Sequence, residues 1–237
     1  MNTLTQHSLA FFGVLLAASG SSIASAQDLI SNGGFETGFA GWTRADQLGS
    51  DGSYALQTGT LSPVNGFTVP GPREGLRAAM SDSAGPGSHA LYQDFVVPAF
   101  VPGATLKFSI FVNNGATAFS TPISLDFATP ALNQQARVDI LRANADPFSL
   151  APADVLFNAF QTALNSPLVT GYNDFTIDVG ALLAANAGQT LRLRFAEVDN
   201  VNFFNFGVDA VSLTIIPAPA TLGLLGIGVL AAGRRRR

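Results

Sequence analysis

The clearest pattern in the chain is alternation. From 106 to 113, Leu106, Phe108, Ile110 and Val112 take every second position, and Lys107, Ser109, Phe111 and Asn113 take the others. That is the period of a strand with one buried face. Residues 135–140 repeat it, with Ala136, Val138 and Ile140 set to face inward and Arg137 and Asp139 outward. Phe175, Ile177 and Val179 form a third set. Leu191, Leu193 and Phe195 form a fourth, which places Arg192 and Arg194 on the wet face. Turn-forming pairs break these runs at short intervals: Asn32-Gly33, Asp51-Gly52, Asn65-Gly66, Pro102-Gly103 and Asn114-Gly115. Short strands with such punctuation predict an all-β sandwich.

One segment follows another period. Pro152 suits a first helical position, and Val155, Leu156, Ala159, Phe160, Ala163 and Leu164 share one face before Asn165-Ser166-Pro167. This spacing predicts a short inserted helix over 152–164. A second helical turn is predicted over 181–185.

The two ends have patterns of their own. Leu9 to Ala18 is an unbroken apolar run, followed by polar residues and then Ala24-Ser25-Ala26. A run of that length before a small-x-small triplet predicts a signal peptide, residues 1–26, with an uncleaved anchor as the alternative. At the other end no charge occurs between Val211 and Gly233, and Arg234, Arg235, Arg236 and Arg237 close the chain. The apolar stretch barely reaches bilayer length, and four arginines would hold it in the cytoplasm while the rest is exported. The predicted organisation is a signal helix over 1–26, one β-sandwich domain over 27–216, and a transmembrane tail over 217–237.

Charge changes the picture once the tail is set aside. Residues 28–216 hold seven arginines and one lysine against sixteen acids, a balance near −8. A domain this acidic repels phosphate backbones, so nucleic acid is not an expected partner. There is no cysteine, so the core must hold the domain without disulfides.

Candidate chemistry is sparse. Beyond the signal peptide the only histidine is His89, placed at the start of a predicted strand after Gly85-Pro86-Gly87 and expected on the surface. One histidine excludes the metal-hydrolase motifs that need two, and a Ser-His-Asp site would depend on it alone. A glycosidase needs two carboxylates across a cleft. Glu36, Glu74, Glu197 and thirteen aspartates supply the number, but most fall in turns or on polar strand faces, so no catalytic residue is assigned and no enzyme is expected. Lys107, the sole lysine, is expected on the outer face of its strand. Sugar binding asks for exposed aromatic faces ringed by amides. Tyr54, Tyr92 and Tyr172 are candidates, but the segment that combines loop character, amides and aromatics is Asn200, Asn202, Phe203, Phe204 and Asn205, within 199–205.

Two resemblances extend this reading. Pro217-Ala218-Pro219-Ala220-Thr221, a Leu/Gly/Ala run and the terminal arginines resemble the PEP-CTERM sorting signal, although Ala218 stands where that family has Glu. The resemblance makes Pro217, Pro219 and Arg234 to Arg237 sorting residues. It implies an exosortase-like processing peptidase as partner, a membrane-anchored precursor, and delivery to the cell surface or extracellular matrix. A plain tail anchor would use the same residues.

Secondly, Asn32-Gly33-Gly34-Phe35-Glu36-Thr37-Gly38 with Gly41-Trp42, His89-Ala90-Leu91-Tyr92-Gln93, and Phe206-Gly207-Val208-Asp209-Ala210-Val211-Ser212-Leu213 look like strands of the galactose-binding-like jelly rolls, the fold of many carbohydrate-binding modules. The resemblance implies a jelly-roll β-sandwich with Trp42 packed inward. It also implies a structural calcium ion held by Glu36 and Asp209. By period two Asp209 shares a face with Val211, Leu213 and Ile215, a costly place for a carboxylate without a cation. Bonds to backbone amides, or neutralisation by Arg77, Arg192 or Arg194, would answer the same cost. The function expected is an exported surface protein that binds polysaccharide or another surface component. A structural or adhesive role without a ligand is the alternative, and a glycan-active hydrolase is the last.

Overall fold

Each apolar set predicted by alternation finds a partner across a gap between two sheets. The computed structural model describes residues 26–216, so the predicted signal peptide and the 217–237 tail with its sorting residues lie outside the described residues. One sheet runs β3 (Ser53–Gln57), β4 (Ala78–Asp82), β11 (Phe204–Ile215), β6 (Ala104–Asn114) and β9 (Asn173–Asp178), with β1 (Gln27–Asp28) paired to the end of β11. The other runs β2 (Thr43–Asp46), β5 (Gly87–Val96), β10 (Thr190–Asp199), β7 (Gln134–Arg142) and β8 (Val155–Gln161). All pairings are antiparallel, and the long strands β10 and β11 lie inside their sheets rather than beside their sequence neighbours alone. This is a jelly-roll β-sandwich. Among the described residues the one α-helix is α1 (Gly180–Ala185), where the second helical turn was predicted. No described helix is long and apolar enough to cross a membrane.

The core holds Leu106, Phe108, Ile110 and Val112 of β6 against Ala136, Val138 and Ile140 of β7 and Leu191, Leu193 and Phe195 of β10. Trp42 is buried as expected, its ring tilted on Phe35 at 5.2 Å and its indole N–H donating to the Asn32 carbonyl at 3.0 Å. The glycines that open the first motif serve close approach. A Cβ on Gly33 would sit 1.8 Å from the Val211 carbonyl oxygen, because the first loop lies directly on β11.

Three expectations are corrected. The helix predicted over 152–164 is strand β8. Its pairing with β7 slips twice, so that Phe160, Asn158, Phe157 and Val155 meet successive β7 residues and Leu156 and Ala159 are extra. Leu156, Phe157, Ala159 and Phe160 all reach the core, and two bulges thus give a strand the apolar spacing of a helix.

Secondly, the wet face of β7 and β10 is covered. Arg194 and Asp139 are fully enclosed and Arg137 nearly so. Asp139 accepts from both guanidinium groups, while Arg194 Nη1 donates to the carbonyls of Pro147 (2.8 Å) and Ser149 (2.9 Å). The loop before β8 is the lid.

Thirdly, Asp209 does not share the face of Val211. A register shift between Asp209 and Ser212, with Ala210 at φ 51°, turns the strand over. Phe204, Phe206 and Val208 face the core before the bulge, and Val211, Leu213 and Ile215 after it. Asp209 pairs with Ser109 on the opposite face.

Candidate functional site

At one end of the sandwich the 199–203 loop joins β10 to β11 and faces two other segments. One is the hairpin closed by the bridge between Leu61 and Thr68; the other is the turn 83–86 between β4 and β5. Together they form a depression of about 420 Å³ lined by Asn65, Phe67, residues 83–86 and residues 199–203. The hairpin is held by Asp82, whose carboxylate accepts from the backbone N–H of Val64 and Asn65 and from the Asn65 side-chain amide. Phe67 and Phe203 stack across the two loops at 4.3 Å between centroids, tilted by 30°. Phe67 remains 37% exposed, and Val201 beside the pair 45%.

The predicted loop residues divide by role. Phe203 reaches the depression, and Asn200 and Asn202 line it. The amides of both asparagines are already engaged. Asn200 Nδ2 donates to the carbonyls of Phe127 and Ala131 and its Oδ1 accepts from Asn133 N–H. Asn202 Nδ2 donates to the Gly115 carbonyl. Phe204 instead packs inward on Phe119, and Asn205 is fully enclosed with its amide donating to Asp82. Of the tyrosines, Tyr54 is buried in the core and Tyr92 lies under the Arg192 guanidinium at 3.9 Å, while Tyr172 is partly buried on the outer face beside Phe111.

Sequence pattern gave no signal for Phe67 or Asn65, because their hairpin lies far from 203 in the chain. Gln134 was also missed. Its side chain donates to the Asn202 carbonyl and accepts from the N–H of Val201 and Asn202, which sets the loop's shape.

His89 corrects the sequence reading. It is fully enclosed, because β5 has β2 on one side and β10 on the other. It lies opposite Glu197 in register, and Asp199 is two residues further along the same face of β10. Burial pushes Asp199 up to about 6, although Gly87 N–H donates to it. Burial, then the charge of Asp199, raises Glu197 well above the carboxylate range.

Glu36 and Asp209, the residues implied for calcium, meet one loop. Glu36 Oε1 accepts from the N–H of Leu76 (2.8 Å) and Arg77 (2.9 Å); Asp209 accepts from Glu74 N–H (3.0 Å) and Ala210 N–H (2.8 Å). Burial raises Asp209 to about 6, with Glu74 adding to the rise. Each carboxylate has about four acceptor positions, so these bonds leave oxygen lone pairs on both; for Asp209 they are the backbone-amide bonds that stand as the alternative to a cation.

Comparison with known proteins adds a sorting motif and a likeness of fold. Residues 216–237 match the PEP-CTERM protein-sorting motif, with Ala218 in place. No curated protein matches the sequence. Among solved structures, the apo form of a cyclase from Fischerella sp. aligns at 19% identity over 82% of this chain and 98% of that one, with a TM-score of 0.50. TmCBM61 in complex with β-1,4-galactotriose aligns at 12% identity over 79% and 97%, with a TM-score of 0.46. The K3 cleaved adhesin domain of Lys-gingipain from Porphyromonas gingivalis aligns at 15% identity over 80% and 99%, with a TM-score of 0.48. At these identities the likeness is one of fold alone. The chain thus carries a jelly-roll β-sandwich and, over residues 216–237, a PEP-CTERM protein-sorting motif, the mark of an exported, membrane-anchored precursor.

Proposed function

We propose that this protein is cut by an exosortase-type peptidase near its C-terminal motif, is displayed at the cell surface or in the extracellular matrix, and binds polysaccharide there without catalysis. The observation that carries the binding reading is the stacked Phe67–Phe203 pair on the rim of a depression where Asn65, Asn200, Asn202, Ser83 and Asp199 stand beside Val201 and the 84–86 turn. An aromatic rim with polar groups beside it is the composition that takes the apolar face and the hydroxyls of a sugar ring. A hydrolytic role is disfavoured by geometry, since Glu197 and Asp199 stand on one face of one strand rather than across a cleft.

A polysaccharide pull-down with the full-length protein in mild detergent tests this. Binding should appear with at least one surface or matrix glycan and fall at least tenfold in Phe67→Ala and Phe203→Ala. Binding to none would favour the structural or adhesive role.

Calcium at Glu36 and Asp209 is part of the same proposal. It is supported by one loop serving both carboxylates, since Glu36 accepts from the N–H of Leu76 and Arg77 and Asp209 from that of Glu74. At about a hundred times its dissociation constant, calcium would stabilise the fold by roughly 2.7 kcal/mol. Thermal melting in calcium and in chelator should therefore differ for wild type and coincide for Asp209→Ala.

A further inference from the structure

A buried polar group beside the depression, which Asp199 lines, has the makings of a further metal site. One ring nitrogen of His89, a Glu197 carboxylate oxygen and an Asp199 carboxylate oxygen lie within 4.8 Å of one another, and all three residues are buried. Two atoms of these side chains have no partner: His89 Nε2 and Glu197 Oε1 are enclosed and accept or donate no hydrogen bond. The ion pairs among the described residues join Arg73, Arg137, Arg192 and Arg194 to other aspartates, and His89 to Asp46; none reaches Glu197 or Asp199. Two adjacent buried carboxylates without a cation are strongly unfavourable.

The surroundings are arranged for an ion. Asp46 Oδ1 holds His89 Nδ1 at 2.7 Å, and a carboxylate on that nitrogen keeps its proton there and leaves the Nε2 lone pair free. Gly87 keeps the space open, since a Cβ there would lie 2.4 Å from His89 Nε2. The Tyr54 hydroxyl, also buried and without a partner, faces the charges of Glu197 and Asp46. Asp199 itself lines the depression, which gives an entry path.

We propose that His89, Glu197 and Asp199 bind one first-row divalent transition ion of the zinc class, a site separate from Glu36 and Asp209 and independent of whether the depression takes a sugar. One imidazole and two carboxylates make a mixed nitrogen and oxygen set, which suits zinc, cobalt or manganese better than the all-oxygen shell of calcium. With a neutral imidazole the ion and its two carboxylates sum to zero charge. The His89 side chain is supplied by β5 and both acids by β10, so the ion would pin the start of β5 to the end of β10, where β10 enters the 199–203 loop.

The experiment uses the untagged full-length protein in mild detergent, stripped with chelator and titrated with Zn2+ and Co2+. Expected are one equivalent bound per chain by elemental analysis, visible Co2+ absorption of a low-coordinate site, and a higher melting temperature with Zn2+. Glu197→Gln with Asp199→Asn should remove the uptake, Asp46→Asn should weaken it by about 10–100-fold, and Asp209→Asn should leave it unchanged. Failure of the wild-type protein to take up stoichiometric Zn2+ or Co2+ would overturn the proposal, whatever the variants do. So would uptake that survives in the double variant, or uptake of Ca2+ in place of both ions.

Discussion

Removing the Asp139 carboxylate would leave Arg194 and Arg137 facing one another where water does not reach. Breaking a buried pair by deleting one partner typically costs about 3–5 kcal/mol, and Asp139→Asn should lower unfolding stability by that order in guanidinium titrations. The same group gives an acid dependence. Burial alone would raise its pKa, but the Arg137 hydrogen bond and the charges of Arg194 and Arg137 outweigh this and hold it below the ordinary 3.8. A depressed carboxylate stabilises the fold fully above its unfolded value and loses that contribution as pH falls through the folded one. Wild type should therefore lose stability more steeply than Asp139→Asn below about pH 4, read as melting temperature against pH. By contrast, Arg73 and Asp174 form an exposed pair, and Arg73→Ala should change stability by less than about 1 kcal/mol.

At the scale of the element, β11 carries the most information. Gly33→Ala would drive a methyl into the Val211 backbone, and the strain should destabilise the domain by more than about 2 kcal/mol in the same denaturation assay. Ala210 sits at φ 51° in the bulge, where a side chain costs roughly 1 kcal/mol. Ala210→Gly should be neutral to mildly stabilising and Ala210→Val destabilising.

These two positions also show what the sequence could disclose. Strands with one covered face, such as β6 and β7, announce their inner residues through strict alternation. The bulges in β11 and β8 break the period, and each sent the reading astray: Asp209 to the wrong face, and β8 to a helix. The outer face of β10 misled for another reason. Its arginines look solvated in sequence because the loop that buries Arg194 lies some 45 residues away. The candidate site was half legible for the same cause. Asn200, Asn202 and Phe203 are contiguous and could be found, whereas Phe67 and the pairing of His89 with Glu197 come together only through the fold.

At the scale of the whole domain, β11 begins at Phe204, directly after the candidate binding loop, and ends at Ile215, directly before the residues of the sorting motif. Twelve extended residues span about 40 Å. The strand is flanked by β4 and β6 near its start and by β1 and β6 near its end. If the loop grips a fixed polymer while the C-terminal end is held, tension runs lengthwise along this strand. That strand is already extended, so its covalent backbone carries the load and the hydrogen bonds to its neighbours lie off the load path. Pulling single molecules between residue 201 and residue 216 should thus need a markedly greater rupture force than pulling between residues 26 and 216, whose strands pair side by side and peel apart.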